Sequence, residues 1–108
     1  MAYSIEYFHP KVLQQIESWP AELLASHFRL VVLLVEHGPA LQMPYSRAMG
    51  NGLFELRPSG KNNAGRSMYC FLKGRRIIIV HAFIKKTEQT PSSDLKIALQ
   101  RIKELKNA

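Results

Sequence analysis

A chain of 108 residues that is 46% hydrophobic has room for one compact domain with a small core and none for a second. The lone Cys70 excludes an internal disulfide and a thiolate zinc site, which suits a reducing cytoplasm, and no metal or cofactor signature is present. The formal net charge of +7 points to a polyanionic partner. The start lacks a basic region followed by an apolar stretch, and the run Leu30 to Val35 is too short to cross a bilayer, so the expectation is a soluble, unexported protein.

In chain order, Ser4 to Phe8 alternates imperfectly, as a short strand would, and His9-Pro10 ends it. A first helix is expected from about Pro10 to Ser18. Ser18-Trp19-Pro20 breaks the chain, and Pro20 with Glu22 suits the first turn of a second helix. Its apolar residues Leu23, Leu24, Phe28, Val31, Leu34 and Val35 recur at helical spacing until Gly38-Pro39 closes it. The two helices make an N-terminal hairpin. Residues 40–51 read as irregular, with Pro44, Gly50 and Asn51 as turn residues. A strand follows from Leu53 to Arg57, and Pro58 stops it.

The turn formers from Pro58 to Gly65 make a loop that leads to a strand at about Arg66 to Lys73. Lys73-Gly74-Arg75 then turns tightly into a strand from Ile77 to Ile84, giving an antiparallel hairpin. The run Ile77 to Val80 is apolar on both faces and predicts a central strand covered on both sides. Thr90-Pro91 with Asp94 begins the last helix, whose stripe is Leu95, Ala98, Leu99, Ile102 and Leu105. The order β-α-α-β-β-β-α predicts a single α+β domain over residues 1–108. It would hold a small twisted antiparallel sheet, with the helical hairpin and the C-terminal helix packed against one side.

The charge is confined. Residues 56–87 carry Arg57, Lys61, Arg66, Lys73, Arg75, Arg76, Lys85 and Lys86 with no Asp or Glu, whereas residues 1–55 sum to −2 and residues 88–108 to +1. Alternate strand residues share a face, so His81, Phe83 and Lys85 lie together, opposite Val80, Ala82 and Ile84. Arg57, Arg66, His81, Lys85 and Lys86 then crowd the ends of three neighbouring strands. A cationic pocket with an aromatic wall is how single-stranded RNA is held, with phosphates on the cations and a base on a ring. Each residue also has a plainer reading: a solvated basic face, a satisfied strand histidine at His81, a core ring at Phe83, a half-buried strand residue at Tyr69. A lipid surface fits less well, since the charge falls on strands and turns and not on an amphipathic helix.

Three phrases carry a resemblance: Leu53-Phe-Glu55-Leu-Arg57, Gly65-Arg66-Ser-Met-Tyr69, and Val80-His81-Ala-Phe83-Ile-Lys85-Lys86-Thr87-Glu-Gln-Thr90-Pro91. From about residue 50 to the last helix the chain resembles the HigB-like, phage-derived branch of the RelE/ParE toxin superfamily. Ala82 stands where that family commonly has glycine. The resemblance implies a RelE-like fold and the toxin of a type II toxin–antitoxin pair, a metal-independent endoribonuclease that cuts mRNA on the ribosome. The implied partners are the ribosome, mRNA and a cognate helix-turn-helix, HigA-like antitoxin, with no cofactor.

Mapped onto matching positions, Arg57 and Arg66 would clamp the scissile phosphate and Lys85 and Lys86 would stabilise charge. Phe83 would support a base, and Lys61, Lys73 and Tyr69 would add RNA contacts. The general base and acid stay open between His81, whose intrinsic pKa is suitable, and the crowded lysines. Two competing readings remain: a non-nuclease toxin acting on DNA gyrase, and a non-toxic RNA-binding module.

Overall fold

The computed structural model describes residues 2–107. Its elements are β1 (Ser4–Tyr7), α1 (Pro10–Glu17), α2 (Ala21–His37), a 3-10 turn (Gly38–Ala40), β2 (Ser46–Gly50), β3 (Leu53–Leu56), β4 (Ala64–Leu72), β5 (Arg76–Lys85) and α3 (Ser92–Lys106). The domain is α+β as expected, and the helical hairpin and terminal helix fall where the apolar stripes put them. The five strands form one sheet in the order β1-β5-β4-β3-β2. Three neighbouring pairs are antiparallel, and β1 runs parallel to β5, with Ser4 opposite Arg76 and Tyr7 opposite Ile79. The sheet is therefore mixed, because the chain leaving β1 passes through two helices and three strands before it returns as β5.

Strand β2 replaces the irregular segment expected before residue 51. Asn51 and Gly52 both adopt positive φ, 55° and 79°, which a two-residue hairpin requires, and Asn-Gly is the pair best suited to it. The hairpin carries Arg47 opposite Glu55.

The helices cover both faces, not one. Beneath α1 and α2 lie Leu56, Tyr69, Ile77, Ile79 and Ala82, packed with Val12, Ile16, Trp19, Leu23, Leu30 and Leu34. Beneath α3 lie Leu53, Met68, Cys70, Ile78, Val80 and Phe83, packed with Ala98 and Ile102. Each fully buried aliphatic side chain here contributes about 1.5–3 kcal/mol, so either layer alone outweighs any surface ion pair. The run Ile77 to Val80, at most 2% exposed, is the doubly covered centre that its composition predicts.

One irregularity decides which residues share a face. Met68 pairs with His81 and Tyr69 with Ile79, so Val80 is an extra residue in β5, a β-bulge. Ile78 and Val80 face α3 before it, and Phe83 still faces α3 after it, although strict alternation would have put Val80 opposite Phe83. Ala82 and Ile84 turn to the α1 and α2 side.

Candidate nucleic-acid interface

On the α3 face the strand register lays side chains in rows. Arg47, Glu55, Met68 and His81 form one row across β2, β3, β4 and β5. The entry to α3 and its first turn reach this row, Thr90 touching Glu55 and Asp94 touching His81. The next row outward holds Arg66 opposite Phe83, with Arg57 following Leu56, which pairs with Ser67. Beyond it, Lys85 pairs with Ala64. Arg57, Arg66, His81 and Lys85 therefore gather at one end of three adjacent strands, and the exposed Lys86 follows directly.

Glu55 organises this end. Only 1% of it is exposed, because alternation along β3 points Leu53 and Glu55 at α3 while Phe54 and Leu56 face the other layer. A buried carboxylate must be paired. Its Oε1 lies 3.0 Å from Arg57, 3.4 Å from Arg66 and 3.6 Å from Arg47, and its Oε2 accepts a 2.7 Å hydrogen bond from Thr90. Three guanidinium groups share one negative charge, which leaves a local surplus of +2.

The three arginines are not equivalent. Side-chain exposure falls from 47% at Arg47 through 22% at Arg57 to 7% at Arg66. Arg66 is the inner member, also donating to the Gly65 carbonyl at 2.6 Å. Burial first, and then the neighbouring Arg57, lower its pKa, while Glu55 opposes the shift. Arg57 and Arg47 are the forks with surface to offer an anion. Gly65 lets β4 start here: a Cβ at that position would stand 2.8 Å from the Trp19 ring.

His81 donates from Nε2 across 2.6 Å to Asp94 Oδ1, the two side chains being 17% and 21% exposed. The Phe83 ring lies 5.9 Å from the imidazole, tilted by 32°. Phe83 itself is 9% exposed and belongs to the layer under α3, so it has only a rim of surface for a base. A cavity of about 330 Å³ opens over these two rings between α1 and α3.

Other expected contacts fall elsewhere. Tyr69 is 1% exposed on the opposite face, with its hydroxyl 2.5 Å from Ser46 Oγ and its ring stacked on Phe54. It has no surface with which to meet RNA, and that expectation is corrected. Lys73 lies in the turn after β4, roughly 23 Å along the strand from Arg66, so it does not join the cluster. Arg76 at that end binds Glu6 through two hydrogen bonds of 2.6 and 2.8 Å, and Arg75 sits over the Tyr3 ring. Lys61 is exposed in the loop between β3 and β4, which is pinned to α2 where the Lys61 amide donates to Glu22 at 3.0 Å.

The eight cations thus divide between the two ends of the sheet, and acids from outside their segment meet some of them. Arg47 and Asp94 were not singled out from sequence. The signal for Arg47 was the Asn51-Gly52 pair, which makes residues 46–50 a strand and puts Arg47 beside Glu55.

Among the described residues no three His, Cys, Asp or Glu side chains come together to hold a metal ion, and no helix is long and apolar enough to cross a membrane. No curated protein matches the chain. Residues 14–103 match the family described as phage-derived protein Gp49-like (DUF891). That span takes in the last turn of α1, all of α2, the four strands from β2 to β5 and most of α3, and with it the whole arginine cluster. The chain belongs to the Gp49-like family of phage-derived proteins.

Proposed function

We propose that this protein is the toxin of a type II toxin–antitoxin pair and an endoribonuclease that cuts mRNA on the ribosome. The observation that carries the reading is the surplus of +2 left where Arg47, Arg57 and Arg66 share the single buried carboxylate of Glu55. Membership of a phage-derived, toxin-like family and the likeness of its last strand and loop to HigB-like toxins support it.

In the proposed reaction the 2′-hydroxyl of one nucleotide attacks its own 3′-phosphate. The bond to the 5′-oxygen of the next nucleotide breaks, leaving a 2′,3′-cyclic phosphate and a 5′-hydroxyl. A base must take the 2′ proton, an acid must give one to the leaving oxygen, and cations must hold the added charge on phosphorus. Arg57 and Arg47 would grip the phosphate, with Arg66 fixed behind them by Glu55. Lys85 and Lys86, unpaired among the described residues, would add charge stabilisation. Proton transfer would fall to His81, whose ring Asp94 orients, or to a lysine of the pair. A cognate helix-turn-helix antitoxin would hold the protein in check.

Induced expression in growing cells, with mRNA 5′ ends mapped by primer extension, tests the reading. The expected result is growth arrest with new ends inside coding regions, both lost in Arg57→Ala. Arrest with intact mRNA and a DNA-damage response would favour a toxin acting on gyrase instead.

A further inference from the structure

The cavity beside His81 has a construction of its own. Among the described residues no strand pairs with β5 beyond Ile79 on this side, because β1 ends at Tyr7, so a gap of about 330 Å³ is left between α1 and α3. Its floor includes the His81 and Phe83 rings, one wall carries Lys11 and Gln15 of α1, and the other carries Asp94 and Arg101 of α3. Arg101 is committed to the wall, donating to the Val80 carbonyl at 2.6 Å and lying over the Phe8 ring. Asp94 spends Oδ1 on His81, while its Oδ2, the Gln15 amide and the Lys11 ammonium have no partner among the described residues.

The His81 ring, with the rim of Phe83 beside it and an amide and a carboxylate at its edge, offers what recognition of an unstacked base needs: a surface to lie on and edge groups to read it. The floor adjoins the arginine cluster. Phe83 faces Arg66 directly across the strand pair, so the two sites stand about one to two strand spacings apart, roughly 5–10 Å, a span that adjoining nucleotides bridge.

We propose that this pocket holds one base of an RNA strand whose neighbouring phosphate rests on Arg57 and Arg47, with Gln15 and Asp94 reading the base edge. The inference rests on the reading that the cationic sheet end binds RNA. A carboxylate only accepts hydrogen bonds, and uracil's one edge donor, N3–H, lies between two carbonyl oxygens that a carboxylate repels, so the pocket favours bases bearing an exocyclic amino group over uracil. It is therefore the part of the protein that sets where in a message the strand is cut.

Titrating the ¹⁵N-labelled full chain with the four nucleoside 3′-monophosphates, and separately with inorganic phosphate, tests this. Guanosine, adenosine or cytidine nucleotides should shift the Gln15 side-chain amide and the His81 and Phe83 amides, uridine nucleotide least, and phosphate only the Arg57 region. Gln15→Ala, an exposed helix position that the fold does not depend on, should weaken nucleotide binding about fivefold and leave the phosphate response unchanged. Shifts at Arg57 with none in the pocket would overturn the base site and leave the anion site standing. Equal pocket shifts from phosphate and nucleotides, or equal binding of all four bases, would also overturn it. No response at either place would sink both readings.

Discussion

Both ends of the sheet carry cations, Lys73, Arg75 and Arg76 at the β4–β5 turn and the larger group around Arg57 at the other, and they differ in how these are paired. At the β4–β5 turn each arginine has its own partner: Glu6 takes Arg76 in a two-bond fork at the surface, and the Tyr3 ring lies under Arg75. At the other end Arg47, Arg57 and Arg66 divide one carboxylate among three, and that carboxylate is buried. The number of basic residues does not decide where an anion will bind. What decides it is the charge left over after pairing, and how firmly the cations are held.

Removing the shared acid should break this contrast most sharply. Glu55→Gln leaves Arg66 buried beside two like charges, and breaking a buried pair from one side costs about 3–5 kcal/mol. Urea denaturation should register the loss, whereas Glu6→Gln at the solvated end should leave the midpoint where it was. If both variants unfold alike, the two ends are held in the same way and the contrast fails.

The second break is functional. Arg57→Ala should lower RNA cleavage by about 10²- to 10³-fold, the usual cost of losing one preorganised donor at a reacting phosphate. Arg75→Ala with Arg76→Ala should keep most of it. Growth assays with mapped mRNA ends, and circular dichroism to confirm folding, would compare the two variants directly.

A third test uses the imidazole under the cationic end. His27 is fully buried, with Nδ1 2.9 Å from Ser67 Oγ, the residue after Arg66, and burial lowers its pKa to about 4 from 6.5. As pH falls, the unfolded chain binds the proton first, so stability is full above about 6.5 and declines toward 4. The size is on the order of 1–3 kcal/mol. Denaturation midpoints measured across that window should slope downward with acidity, and His27→Gln should flatten the slope.

The smallest effect is a slope as well. If Arg47, Arg57, Lys85 and Lys86 carry the phosphate contacts, log affinity for single-stranded RNA should fall against log salt with a slope of roughly −3. Changing Arg75 and Arg76 to alanine should move that slope by less than one. A larger change would put the contacts at the wrong end.

Much of this was legible in the chain, and the misses have physical causes. The apolar run Ile77 to Val80 announced the central strand, and the helical stripes announced α1, α2 and α3. The gathering of Arg57, Arg66, His81 and Lys85 followed from strand parity. Strand β2 was hidden because Ser46 to Gly50 alternates weakly, and only the Asn51-Gly52 turn betrayed it. The parallel partner of β1 and the burial of both faces depend on where helices pack, which no local pattern encodes. Parity already set Tyr69 on the face away from Arg66, and burial under α2 leaves it no role in binding. The burial of Glu55 has no local sign, because the segment that covers it, Thr90 at the entry to α3, is remote in sequence.

The extra residue at Val80 lets β5 turn two successive side chains toward α3, Val80 into the core and His81 to Asp94. Ahead of it the strand is wedged between two helical layers, and behind it the same strand supplies His81, Phe83 and Lys85 to the open end. Deleting Val80 alone would straighten the strand and leave His81 opposite Met68 on the α3 side, at the cost of one buried side chain. Deleting Ala82, beyond the bulge, would instead turn Phe83 and Lys85 to the other face. Related chains that keep this site should therefore accept insertions in the Pro58–Gly65 loop readily, a gap at Val80 less so, and a gap at Ala82 least of all.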